Sequence, residues 1–233
     1  MIEALLVFAL AIGLGWPLGR YLAAVMRGAP MRGDRLFGWI ERPLYRLLGT
    51  APAQGMTWRG YAKAFALSNL VVGGLVWTLF MTQAWLPLNP DAIPNLRWDT
   101  ALHTMVSFLT NTNQQHYSGQ AQLSYLSQMV GIVGLQVITP MMGLALVVAT
   151  LRALVGGREA TTAVGAPRAT ASGDADVGNY WADLIRPTLR FMLPLCLLWS
   201  VLLTSQGVPS TLQSGPVATP VDASVEMQQQ KIP

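Results

Sequence analysis

Three long stretches of this chain carry no ionised side chain: residues 64–90, 100–151 and 191–221 contain no Asp, Glu, Lys or Arg. A water-soluble surface cannot be assembled from segments of that length without charge. A lipid bilayer accepts them, because a helical span needs only about 20 mostly apolar residues. The overall balance agrees, with 52% hydrophobic and 11% charged residues against the ~25% charged of typical soluble domains. The expected class is an all-α integral membrane protein.

Four segments are long enough to span: about Ile2 to Val25, Ala64 to Leu86, Tyr125 to Leu151 and Pro187 to Thr204. In the first, Trp16 and Tyr21 suit the membrane–water boundary, and Arg20 can snorkel. Its one early charge is Glu3 and its apolar run continues through Trp16 and Pro17, so a retained helix is expected rather than a cleaved signal. In the second, the Gly73–Gly74 pair permits close helix contact. In the third, Pro140 is expected to kink the helix. The single cysteine, Cys196, lies in an apolar run and reads as a packed small residue.

Basic residues give an orientation. Eight of the fifteen lie between or at the edges of the first two spans (Arg20, Arg27, Arg32, Arg35, Arg42, Arg46, Arg59 and Lys63). Five more, Arg152, Arg158, Arg168, Arg186 and Arg190, surround the connection between the third and fourth. Positive loops stay in the cytoplasm, so both chain termini are expected outside. Because these charges flank apolar spans, they fit topology better than a nucleic-acid-binding face. The connection from Gly156 to Gly178 is rich in Ala, Thr, Gly and Ser and reads as a flexible loop. The tail after Gln206 is polar, with no further span.

That topology leaves Pro87 to Ser124 between two outward-reaching ends. From Trp98, with Asp99 and Thr100 suited to a helix start, Leu102, Met105, Val106 and Leu109 recur at helical spacing. About a dozen residues at ~1.5 Å each reach only halfway across the hydrocarbon core. The next ten residues are Thr110-Asn111-Thr112-Asn113-Gln114-Gln115-His116-Tyr117-Ser118-Gly119, neutral and crowded with side-chain oxygens. A helix C-terminus carries about half a negative charge, and irregular backbone at membrane depth is tolerated only where it is buried in protein or lines a polar cavity. Neutral oxygens there can replace the hydration of a monovalent cation, whereas a carboxylate cluster would favour divalent ions or protons. The same pattern also fits a helix cap or an outer loop. His103 and His116, with Ser107 or Ser118, raise intramembrane hydrolysis, but no acidic orienting partner is evident. No phosphate-binding glycine loop or metal-ligating cluster is present in the sequence.

The string Val106-Ser107-Phe108-Leu109-Thr110-Asn111-Thr112-Asn113, then Gln115, Tyr117-Ser118-Gly119 and Leu123-Ser124-Tyr125-Leu126-Ser127-Gln128-Met129, closely resembles the first pore loop of the KdpA family, the potassium-binding subunits of bacterial Kdp potassium-transporting ATPases. Leu86-Pro87-Leu88-Asn89-Pro90 and Asn179, Trp181, Asp183-Leu184, Arg186 and Thr188-Leu189 are similar as well, so the resemblance covers nearly the whole chain. It implies a potassium-channel-like fold of four helix–pore loop–helix units preceded by one extra helix.

On that scheme residues 1–26 are the extra helix, 27–62 a cytoplasmic connection and 63–152 the first unit. Residues 153–182 form a cytoplasmic loop, 183–206 open the second unit, and 207–233 are an extracytoplasmic tail. Thr110, Asn111, Thr112 and Asn113 are implied as potassium-binding filter residues, with Gln115 beside them. Potassium is the implied transported ion, with no other cofactor, in the bacterial inner membrane. The implied partners are a KdpB-like ATPase subunit, reached through an intramembrane tunnel, and small KdpC-like and KdpF-like subunits. The chain itself is expected to be non-catalytic.

Gln114, His103 and Gln120 stand where the family usually has Trp, Asn and Glu, and Gln136-Val137-Ile138-Thr139-Pro140 departs from its usual pattern in the third span. Family members carry three further pore loops. This chain is therefore expected to be a fragment, a truncated product or half of a split subunit, unable to select potassium alone. The other reading that stays open is a membrane assembly or scaffold protein with the polar run as a surface loop.

Overall fold

The computed structural model describes residues 2–155, 176–208 and 211–214. Most of the expected flexible connection and of the polar tail, and the side chain of Gln120, lie outside the described residues. Helix α1 covers Ile2–Arg27, α2 Asp34–Leu47, and α3 Trp58–Thr82, the last continued by a 3-10 turn at Gln83–Trp85. Helix α4 covers Trp98–Leu109 and the single turn α5 Gly119–Gln122. A wide π turn at Ser127–Val133 leads into α6, Gly134–Leu154. Helix α7, Tyr180–Pro187, passes through a second π turn at Thr188–Met192 into α8, Leu193–Ser205. No strand occurs among the described residues.

Among the described residues, four continuous helical stretches are long and apolar enough to cross a membrane: Ile2–Arg27, Trp58–Trp85, Ser127–Leu154 and Tyr180–Ser205. The second and fourth begin earlier than hydropathy suggested, taking in Arg59 and Lys63 in one and Asp183 and Arg186 in the other. Large apolar side chains such as Phe8, Leu70, Leu75, Leu197 and Trp199 are exposed along them, as a lipid-facing surface requires. Pro140 lies inside α6, while the irregular turns are the π segments. The second falls between Pro187 and Pro194. Pro194 has no N–H to offer the carbonyl of Arg190 four residues back. The hydroxyl of Tyr21 donates to that carbonyl instead, at 2.9 Å. Tyr21, expected as a boundary anchor, thus holds α1 to the freed backbone group.

The chain divides into two compact units. One comprises Met1–Phe65 and Met141–Leu195, and its interior is tied by charge. Arg152 meets Asp183 through two bonds, Nη1 to Oδ2 at 2.5 Å and Nη2 to Oδ1 at 3.0 Å. The Tyr61 hydroxyl donates to Asp183 Oδ2 at 3.1 Å and to the Ala145 carbonyl at 2.7 Å. Arg190 holds Glu41 by Nε to Oε1 at 2.5 Å and Nη2 to Oε2 at 2.9 Å, and also bonds Asp34. These pairs neutralise two of the arginines that hydropathy had assigned to the cytoplasmic edge. Asn179 caps α7 by accepting from the Ala182 N–H, and its Nδ2 donates to Thr50 Oγ1 and to the carbonyls of Ala51 and Gln54.

The other unit comprises Ala66–Pro140 and Cys196–Pro233. Its apolar core joins Val76 and Phe80 of α3, Ala101, Met105 and Phe108 of α4, Leu123 and Leu135. Helix α4 seats against α3 where Gly73 removes a side chain. A Cβ there would stand 3.0 Å from Met105 Sδ and from Leu109 Cδ2, closer than ordinary contact. Gly74 faces open space, so one glycine of the expected pair makes the approach.

Candidate functional site

The polar run comes directly after α4, so the placement of α4 governs it. Trp77 donates its indole N–H to the Trp98 carbonyl at 3.2 Å, and the Leu96 N–H donates to the Phe80 carbonyl at 3.1 Å. These two bonds fix the start of α4 on α3. Arg97 sits at the N-cap in extended conformation with no side-chain cap, and Asp99 lies in the first turn, its Oδ1 accepting from the Thr100 N–H at 2.9 Å. That N–H, followed by Arg97, holds the Asp99 carboxyl below the usual carboxylate range.

Gln83 closes the two ends of the intervening loop. Its side chain is fully buried. Nε2 donates to the carbonyls of Pro94 at 2.7 Å and Gln122 at 2.8 Å, while Oε1 accepts from the Ser124 N–H at 3.1 Å. One amide therefore satisfies three backbone groups, from the segment before α4 and the segment after the polar run.

Helix α4 stops at Leu109 after 12 residues, a length of roughly 18 Å against a hydrocarbon core of about 30 Å. The backbone then reverses tightly onto the last turn of the helix. The N–H of Asn111 donates to the Phe108 carbonyl at 3.2 Å. Those of Thr112 and Asn113 both donate to the Ser107 carbonyl, at 2.9 and 3.1 Å. The N–H of Gln114 donates to Ser107 Oγ at 2.6 Å, and that hydroxyl donates to the Gln114 carbonyl at 2.8 Å.

Four successive N–H groups are thus turned inward. No peptide bond among the described residues is cis, and a trans peptide holds its C=O opposite its N–H. The carbonyls of Thr110, Asn111, Thr112 and Asn113 therefore all turn away from α4. Among the described residues no N–H or O–H donates to any of the four.

The backbone conformation explains why these residue types stand here. Thr110 has φ −87°, Asn111 +60° and Asn113 +56°, with Thr112 on the negative side. Alternation between right- and left-handed residues makes consecutive N–H groups converge. Asparagine is the non-glycine residue that most readily takes the left-handed region. The hydroxyls of Thr110 and Thr112 lie 3.0 Å apart, and Thr110 Oγ1 also donates to the Val106 carbonyl at 2.8 Å.

Of the residues picked out from sequence, Thr110, Asn111, Thr112 and Asn113 are brought into one row. Gln115 lies just past the Ser107–Gln114 brace, with its side chain beside the Tyr117 hydroxyl. All five are exposed on this chain. Gln83 was not singled out, and Ser107 was noted only as a possible partner of the histidines and within the pore-loop string; the bracing role of neither can be read from periodicity. The spacing from Ser107 to Gln114 is readable only once the reversal is known. His103 and His116 pack edge to face with centroids 4.3 Å apart. Among the described residues no group of three or more His, Cys, Asp or Glu could hold a metal ion.

Comparison with known proteins adds an independent finding. The family described as KdpA, Potassium-transporting ATPase A subunit, matches residues 5–233. A protein of Alicyclobacillus acidocaldarius called potassium-transporting ATPase potassium-binding subunit is 41% identical over 212 residues, 91% of this chain and 35% of that protein. Proteins of the same name from Desulfovibrio desulfuricans and Pseudomonas putida are 40% and 41% identical, over 89% of this chain in each case and 33% and 34% of theirs. The chain spans about a third of the length of these curated relatives.

Proposed function

The chain belongs to the KdpA family of potassium-transporting ATPase A subunits, and from that premise we propose that residues 110–113 form one oxygen-lined wall of a potassium site. The observation that carries this reading is the row of four carbonyls that, among the described residues, meet no protein donor, turned outward by the inward turn of the N–H groups of residues 111–114. Potassium requires neutral oxygens that replace water without binding too firmly to release. No ionised side chain lies between residues 100 and 151 to convert the row into a divalent site. An exposed row is the form one wall takes when the oxygens facing it come from elsewhere in the protein.

In this reading α4 is a re-entrant pore helix entering from the outer face, and the N-terminus is extracytoplasmic in the bacterial inner membrane. Potassium is taken up from outside, held at the filter and passed through an intramembrane tunnel to a KdpB-like subunit that hydrolyses ATP. Small KdpC-like and KdpF-like subunits complete the assembly. The chain supplies the non-catalytic, potassium-binding part. Substituting Asn111 or Gln115 in the full-length assembly tests it: the potassium concentration needed for half-maximal ATPase activity should shift, and unchanged affinity and selectivity would refute the assignment.

A second reading takes the exposure of residues 110–116 at face value, as a surface loop of a membrane scaffold protein. Thr112→Cys separates the two. Fast reaction of the intact assembly with bulky impermeant thiol reagents from outside supports the loop, and protection supports the recessed filter.

A further inference from the structure

A groove of about 360 Å³ runs between α1 and α6 in the unit formed by Met1–Phe65 and Met141–Leu195. Gly19 and Ala23 stand one turn apart on α1, Leu144 and Val148 one turn apart on α6, and Arg27 and Arg152 close the same end. Small residues recess the α1 side, and a Cβ on Gly19 would meet nothing within 4 Å. The floor is apolar and the end is basic.

Among the described residues the charge at that end is only partly paired. Arg152 is paired with Asp183, but among the described residues neither Arg27 nor Arg186 has a carboxylate within 4 Å. Arg186, from α7, reaches the backbone just past the end of α1, its Nη1 only 2.6 Å from where a Cβ on Gly28, the residue after Arg27, would stand. The C-termini of α1 and α6 bring about half a negative charge each, so two guanidiniums with no ion-pair partner among the described residues outweigh them. Next along the chain, α2 exposes Leu36, Trp39 and Leu47, while Glu41 and Tyr45 on its other side are buried. That division is the pattern of a helix lying in a membrane interface.

We propose that this groove binds an anionic phospholipid, with an acyl chain along Gly19, Ala23, Leu144 and Val148 and the headgroup phosphate on Arg27 and Arg186. Basic pockets between spanning helices recognise acidic headgroups by charge-assisted bonds. A zwitterionic lipid of equal chain length fits the apolar part but adds a cation where two arginines already stand. The proposal is independent of the potassium site.

Native mass spectrometry of the full chain in detergent, titrated with dioleoyl phosphatidylglycerol or dioleoyl phosphatidylcholine, tests it. The expected result is at least a five-fold preference for phosphatidylglycerol, falling below two-fold in Arg27→Gln, which leaves every described ion pair intact. Ala23→Trp, which fills the groove, should lower retention of both lipids. Equal retention by the unaltered chain, or a preference undiminished in Arg27→Gln, overturns the proposal. So does displacement of phosphatidylglycerol by millimolar inorganic phosphate, since an acyl chain should hold the lipid in place. Unchanged lipid retention in Ala23→Trp with loss of a co-purifying single-span protein would give the groove to a partner helix and likewise overturn it.

Discussion

Ser107 and Gln114 are joined twice, the serine hydroxyl donating to the Gln114 carbonyl at 2.8 Å and accepting from the Gln114 N–H at 2.6 Å. This pair of bonds pins the far end of the reversal to the helix that precedes it. Ser107→Ala removes both contacts and leaves the Ser107 carbonyl to Thr112 and Asn113. The loss is expected to be about 1–3 kcal/mol of local order. In the full-length assembly it should produce a roughly ten-fold rise in the potassium needed for half-maximal ATPase activity.

Asn111 separates backbone from side-chain function. If the carbonyl row binds the ion, Asn111→Gly keeps the positive φ and should change potassium affinity by less than about three-fold. Asn111→Val places a β-branched residue at φ +60°, where it is strained by about 1–2 kcal/mol, and should lower affinity ten-fold or more. Equal effects of the two would move the role to the amide side chain.

The buried pair Arg152–Asp183 should obey the asymmetry of buried charge. Asp183→Asn leaves a charged guanidinium without its partner and is expected to destabilise the chain by about 3–5 kcal/mol. Adding Arg152→Gln should restore a substantial part. Thermal unfolding of the two variants in detergent measures the difference.

Asp34 gives the acid limb. The Met31 N–H and then Arg190 lower its pKa from 3.8, so folding is favoured by its ionised form. That contribution is complete above the unfolded value and is lost as pH falls below about 4 and through the lowered folded value. Asp34→Asn should therefore flatten the loss of thermal stability below pH 4. On the alkaline side, burial pushes the Tyr45 phenol up to about 12, so stability should fall as pH rises from 10, where the unfolded phenol ionises, toward 12. Tyr45→Phe should remove that loss. It should cost little otherwise, because the buried Tyr45 hydroxyl has no hydrogen-bond partner among the described residues.

The membrane class and the early stop of α4 were legible because both rest on simple length and charge: no ionised residue over residues 100–151, and an apolar face ending at Leu109. The candidate row was legible as composition, since Thr and Asn both supply oxygens and Asn tolerates the left-handed backbone. What holds it was not. Gln83 acts across 39 and 41 residues, and a single buried amide leaves no periodic trace. Arg152 and Arg190 read as edge charges because their carboxylate partners lie 31 and 149 residues away in sequence. Hydropathy also missed the π turns, which answer to hydrogen bonding rather than to apolar spacing.

Anomalous scattering from thallium or rubidium in crystals of the full-length assembly addresses the carbonyl row most directly. The expected result is a peak within about 3 Å of the carbonyl oxygens of two or more of residues 110–113, displaced by excess potassium. Residues 110–113 standing in bulk water with no such peak, while an ion is held elsewhere in the assembly, would contradict the assignment.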